Sequence, residues 1–139
     1  MKGIDGLIRL QRWRLDEARR RLADLERLRE EFRTKQRNLE LEIESEQRVA
    51  AGDPDGQRAW SAFAERALGR RATLARSAAE TDAAAAAAHE EVGEAFREVK
   101  KLELAAERAE RRQLEAGQRR EQGRLDAVAL DMHRRRGAA

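Results

Sequence analysis

The sequence predicts an all-α fold: a long antiparallel two-helix coiled coil, or helical hairpin, with the second helix the longer. Three observations carry this. The 139 residues are 41% charged and 4% aromatic, with one proline and no cysteine or tyrosine, which is the makeup of long helices rather than of a broad core. Apolar side chains recur in alternating steps of three and four from Ile4 to Ala50. A Gly-Asp-Pro run at Gly52-Asp53-Pro54 then interrupts the pattern.

The first helix is expected over about residues 5–50. Its seam reads Ile4, Ile8, Gln11, Leu15, Ala18, Leu22, Leu25, Arg29, Phe32, Gln36, Leu39, Ile43, Glu46 and Ala50, with mostly Arg, Glu and Asp between. Such a stripe is wide enough for one partner helix. Asp5 is a candidate N-cap. Leu7 and Leu28 widen the stripe, whereas Trp13 and Leu41 lie off it. The turn is placed at 51–53. Gly52 suits the left-handed residue that ends a helix, and Asp53 suits a cap with Pro54 in the first turn behind it. So short a connection sends the second helix back antiparallel.

The second helix is expected over about residues 54–134. Its seam starts with Trp60, Phe63, Ala67 and Leu74 and thins into alanine over 83–88. Alanine is the best helix former, and small seam residues let two helices approach closely. The seam recovers at Val92, Ala95, Val99, Leu102, Ala106 and Ala109, then slips by about one residue to Leu114, Gln118, Glu121, Leu125, Val128 and Met132. Gly93, Gly117 and Gly123 each weaken the helix by about 1 kcal/mol relative to alanine. Gly69 could break it, which would make 57–68 a separate short helix. With an unbroken second helix and the turn at Asp53, residue 50 faces about 55 and residue 5 about 100. Roughly the last 30 residues then overhang, and a lone helix with an apolar stripe needs a partner. The whole is read as one hairpin domain, residues 1–139.

Charge is unevenly spread. Residues 2–37 and 108–139 carry an excess of Lys and Arg, and residues 38–58 and 59–107 an excess of Asp and Glu. A hairpin brings both termini to one end, so that end is expected to be basic and the turn end acidic, each facing a different partner. Arg134-Arg135-Arg136 reads either as a frayed helix end, where cations suit the dipole, or as a contact for an acidic protein groove. Trp60 and Phe63 are either an interface anchor or a pair packed over the turn against Ile43 and Val49. Trp13 either faces a partner or lies flat on the overhanging helix.

Function classes fall away on the same grounds. His89 and His133 stand far apart in sequence with no carboxylates placed to complete a metal site. There is no Gly-rich phosphate loop, nucleophile elbow or convergent acid–base set, and a two-helix rod has no deep pocket in which to desolvate a reaction. The expectation is no enzyme and no cofactor. Net charge is +3, acids are interleaved nearly everywhere and no aromatic stacking platform exists, which argues against nucleic acid. No apolar run approaches the roughly 18 residues of a membrane span, and the start lacks a signal peptide's apolar stretch, so a cytoplasmic protein is expected.

Four features resemble the FliJ family, the small coiled-coil protein of bacterial flagellar type III export. They are the opening Ile8-Arg9-Leu10-Gln11-Arg12-Trp13-Arg14-Leu15-Asp16-Glu17-Ala18-Arg19-Arg20, the turn after about 50 residues, the segment Phe96-Arg97-Glu98-Val99-Lys100-Lys101-Leu102-Glu103, and Arg120-Glu121-Gln122 followed by Leu125-Asp126 and Ala129. The resemblance implies a non-catalytic stalk and adaptor. Its end with both termini would bind the hexameric export ATPase, and its turn would reach the membrane export-gate protein. It would also bind and recycle export chaperones, associating peripherally with the inner membrane. Carried over, Arg9, Arg12, Trp13, Arg120, Glu121, Gln122, Leu125 and Asp126 would contact the ATPase, and Leu41, Trp60 and Phe63 would sit near the gate. The chain departs from the family in having no tyrosine near the turn. An injectisome stalk and a generic scaffolding coiled coil are the alternatives; an RNA-binding helical hairpin is a further one.

Overall fold

A computed structural model describes residues 2–138 and contains two long helices and, among the described residues, no strand: α1 (Lys2–Ala51) and α2 (Gly56–Gly137). They form an antiparallel helical hairpin that divides into two compact units. One holds Trp13–Ala95, including the turn, and the other holds Met1–Arg12 with Phe96–Ala139.

The turn is built differently from the sequence expectation. No described residue has a positive φ, so Gly52 does not end α1 in the left-handed region. The Gly52 amide instead donates to the Val49 carbonyl at 3.3 Å and the Asp53 amide to Ala50 at 3.5 Å, a tightened last turn that satisfies two orphan carbonyls. Pro54 has no N–H with which to continue, and it disfavours the helical conformation at Asp53. The Asp53 carboxylate then accepts the Asp55 amide at 3.1 Å, and its carbonyl accepts the Gly56 amide at 3.0 Å. That tight turn precedes α2 and moves its start to Gly56. At the other end α1 already runs from Lys2, so Asp5 is not an N-cap. It lies in the first turn, where its charge suits the helix dipole.

Gly56 sits against the end of α1. A Cβ there would stand 3.2 Å from the Ala50 Cα, a backbone atom that cannot swing aside, whereas a Cβ on Gly69 meets nothing within 4 Å. We expect Gly56→Ala to lower the melting temperature. Gly69→Ala should raise stability by up to about 1 kcal/mol through helix propensity. Circular-dichroism melts check both, and equal shifts of the same sign would contradict the assignment. Backbone helix continues through Gly69, whose carbonyl accepts the Thr73 hydroxyl at 3.1 Å.

Within the turn unit, the covered positions of the two helices run in opposite order against one another. On α1 these are Leu22, Leu25, Phe32, Gln36, Leu39, Ile43 and Ala50, and on α2 Trp60, Ala67, Leu74, Ala78, Ala85 and Ala88, with Leu39 and Asn38 bordering Thr73 and Leu74 and Ala50 next to Gly56. Every α1 seam position read from the sequence is buried or half-buried except Glu46. Bulk comes mainly from α1, and α2 offers small residues for it to pack upon. Thr81, the buried polar side chain of this seam, is satisfied by donating to the Ser77 carbonyl at 2.8 Å. Ion pairs flank the seam. Near the turn α1 supplies the acids: Glu40 takes Arg71 in a fork at 2.7 and 2.8 Å, and Glu42 lies 3.7 Å from Arg70. Farther along the signs reverse, with Arg29 at 2.7 Å from Asp82 and Arg21 at 3.6 Å from Glu91. Exposed pairs of this kind add little stability singly, about 0–1 kcal/mol, and they run in antiparallel order along the two helices.

In the other unit, Ile4, Ile8 and Gln11 on α1 and Val99, Leu102 and Ala106 on α2 are covered, and Ile8 and Val99 are buried. Ile4 and Asp5 border a hollow with Ala106, Ala109 and Glu110. Asp5 thus borders Ala106 and Ala109 rather than about residue 100, and α2 starts at Gly56 rather than about residue 54. The exposed part of α2 begins after Ala109, in line with the expected overhang of roughly the last 30 residues.

Candidate protein-binding interface

Beyond Ala109, every described residue of α2 is exposed except the half-buried Gly117. A helix this long is held by local pairs. Arg111 reaches Glu107 at 3.4 Å, Arg119 reaches Glu115 at 3.9 Å, Arg124 reaches Glu121 at 3.9 Å and Arg135 reaches Asp131 at 3.3 Å. Pairs three or four apart stabilise a helix by about 0.2–0.5 kcal/mol each, and alanines add propensity. The apolar side chains take no part in this. Leu125 is 56% exposed and Val128 54%, and with Met132 they stand on one face at steps of three and four. On the same face toward α1, the missing side chain of Gly117 leaves a shallow groove of about 530 Å³, bordered by Leu114, Gln118 and Glu121.

The residues singled out in sequence distribute as follows. Leu125 stands on the bare stripe and Glu121 continues its line. Gln122 donates to the Asp126 carboxylate at 3.0 Å on the flank, and Arg120 is exposed. On α1, Arg9 is exposed, but Arg12 is engaged in helix pairing: it donates to Glu103 at 3.0 Å, and Lys100 reaches the same carboxylate at 3.2 Å. The Arg12 guanidinium first, and then the Lys100 ammonium, hold the Glu103 carboxyl below its usual value. Trp13 is 61% exposed, so it is not a covered ring.

Near the turn, Leu41 is 61% exposed on the outer side of α1, among Arg33, Arg37, Glu40 and Glu44. Trp60 and Phe63 form a tilted ring pair with centroids 5.8 Å apart, both half-buried. Val49 is 66% exposed and does not cover them as the packed alternative would require.

Other exposed apolar side chains went unread in the sequence as surface features. Leu7 and Leu10 on α1, and Phe96 and Leu104 on α2, are exposed beside the paired seam. Their places off the three-four repeat were the available signal, and Leu7 and Leu28 are exposed rather than part of a widened stripe. Among the described residues no cluster of His, Cys, Asp or Glu could hold a metal ion, and no helix is long and apolar enough to cross a membrane.

Compared with known proteins, the chain matches one family model, described as Flagellar FliJ protein, over residues 1–138. No curated protein and no solved structure matches it.

Proposed function

The chain belongs to the flagellar FliJ protein family, with the flagellar-export role which that family implies, and on this premise we propose that it is a non-catalytic stalk and adaptor. Its bare α2 segment and the first turns of α1 engage the hexameric export ATPase. Leu41, Trp60 and Phe63 serve the membrane export-gate protein, and export chaperones are further partners. The protein then acts in the cytoplasm, held peripherally at the inner membrane by the export apparatus.

One observation supports this most: the unpaired face of α2 from Leu114 to Met132, which repeats at helical spacing yet meets nothing in its own chain. Burying a Leu, Val or Met side chain is worth about 1.5–3 kcal/mol, so a partner that covered this face would gain from each of them. The interspersed charges on its flanks suit a wet, polar-rimmed contact.

The test is the hydrolysis rate of purified export ATPase with and without this chain. The full chain is expected to bind and stimulate, and a chain ending at Gln113, which keeps α1 and every covered α2 residue up to Ala109, is expected to do neither. Stimulation by the shortened chain would move the contact away from α2. Absence of binding by the full chain, together with stable parallel dimers in sedimentation, would favour a scaffolding coiled coil instead.

A further inference from the structure

Gly117 lies inside α2 without a use in its own chain. Its φ is not positive, and a Cβ built there would meet nothing within 4 Å. Glycine is the poorest helix former after proline, so alanine would serve the helix better. What the missing side chain does create is the groove over Leu114 and Gln118, with Glu110 toward one end and Glu121 toward the other. Glu110 and Gln113 also border a second hollow, of about 310 Å³, which Ile4 and Asp5 border from the start of α1. The two hollows adjoin through these shared residues and make one trough.

The charge of this trough runs against its surroundings. Residues 108–139 carry an excess of Lys and Arg. Arg111, Arg112, Arg119 and Arg120 interleave with the groove residues in sequence, yet none of them borders either hollow, because they fall on other faces of the helix. Asp5, Glu110 and Glu121, which do border them, are all carboxylates. Arg124 approaches Glu121 only to 3.9 Å, from farther along the helix.

We propose that this trough seats a basic segment of the export ATPase: the aliphatic stem of a partner Arg or Lys lies over Leu114 and the Gly117 backbone, and its cationic head meets Glu121. Further basic side chains of the same segment meet Glu110 and Asp5. This contact presupposes the stalk function proposed above and specifies its chemistry. Long basic side chains suit such a place, because their stems cover apolar surface while their heads stay at the wet rim. The glycine lets a stem lie against the helix backbone, where a Cβ would hold it off. The carboxylates complement a basic segment and repel an acidic one.

Titration calorimetry of the full chain against purified export ATPase, at several salt concentrations, tests the contact. Gly117→Leu adds a side chain for which its own chain has room, so helicity is expected to hold or rise. Affinity should nevertheless fall at least about tenfold, because the groove is filled. Gly117→Ala should lie between parent and Gly117→Leu. Glu110→Gln combined with Glu121→Gln should weaken binding several-fold and flatten its dependence on salt. Glu115→Gln, on another face where Glu115 is paired with Arg119, should leave both as in the parent. Unchanged affinity in Gly117→Leu, an unchanged salt dependence in the Glu110→Gln, Glu121→Gln chain, or an equal loss in Glu115→Gln would overturn the trough and leave the stalk function standing. A parent chain that does not bind the ATPase would overturn both.

Discussion

Leu125→Asp combined with Val128→Asp is expected to abolish binding to the export ATPase while leaving the melting transition of the hairpin in place. Both side chains are more than half exposed and lie well past Ala109, where α1 no longer accompanies α2. The hairpin thus loses no packing. On the stalk reading the complex loses two apolar anchors, at about 1.5 kcal/mol or more each, and gains two carboxylates to desolvate. Even the lower sum corresponds to at least about a hundredfold in Kd. Titration calorimetry against the purified ATPase measures it, with circular dichroism to show that helicity is retained. Binding within a few-fold of the parent would remove this face from the interface.

The largest expected loss of stability is at Leu39, the most covered of the large seam residues at 2% exposure. Leu→Ala in a packed site costs about 2–5 kcal/mol. Here the lower half of that range is expected. A two-helix seam is thin, and Leu39 borders an open hollow with Lys35, Asn38, Thr73 and Leu74 into which neighbours and water can move. Leu41→Ala is the matched control. It is the same residue type two positions along the same helix, on the exposed side, and its effect should stay within about 0.5 kcal/mol. Urea unfolding of the two variants decides the matter through their midpoints. Equal destabilisation would mean that the α1 face has been assigned wrongly.

These two leucines show what was readable in advance. The three-four repeat separates Leu39 from Leu41 without coordinates, because a helix turns by a fixed angle per residue and side-chain direction follows from position alone. The same rule picked out the α1 seam from Ile4 to Ala50, failing only at Glu46, which lies exposed. On α2 it reached Trp60, Ala67 and Leu74 but had no purchase on residues 83–88, since a run of one residue type has no periodicity. The candidate site was legible to a similar degree. The stripe at Leu125, Val128 and Met132 follows from spacing. The engagement of Arg12 with Glu103, by contrast, joins residues far apart in the chain, and no local pattern foretells it.

By itself, then, the sequence determined that this protein is two amphipathic helices joined by a sharp reversal, because helical period, composition and proline act locally. Only the tertiary structure decided how the reversal closes, which residues of α2 stand opposite α1, and where the accompanied part of α2 ends. These depend on the length and hydrogen bonding of one turn, from the Gly52 amide to the Gly56 amide. A few residues' difference there shifts every pair along the seam, and with it the point at which the apolar face of α2 becomes bare.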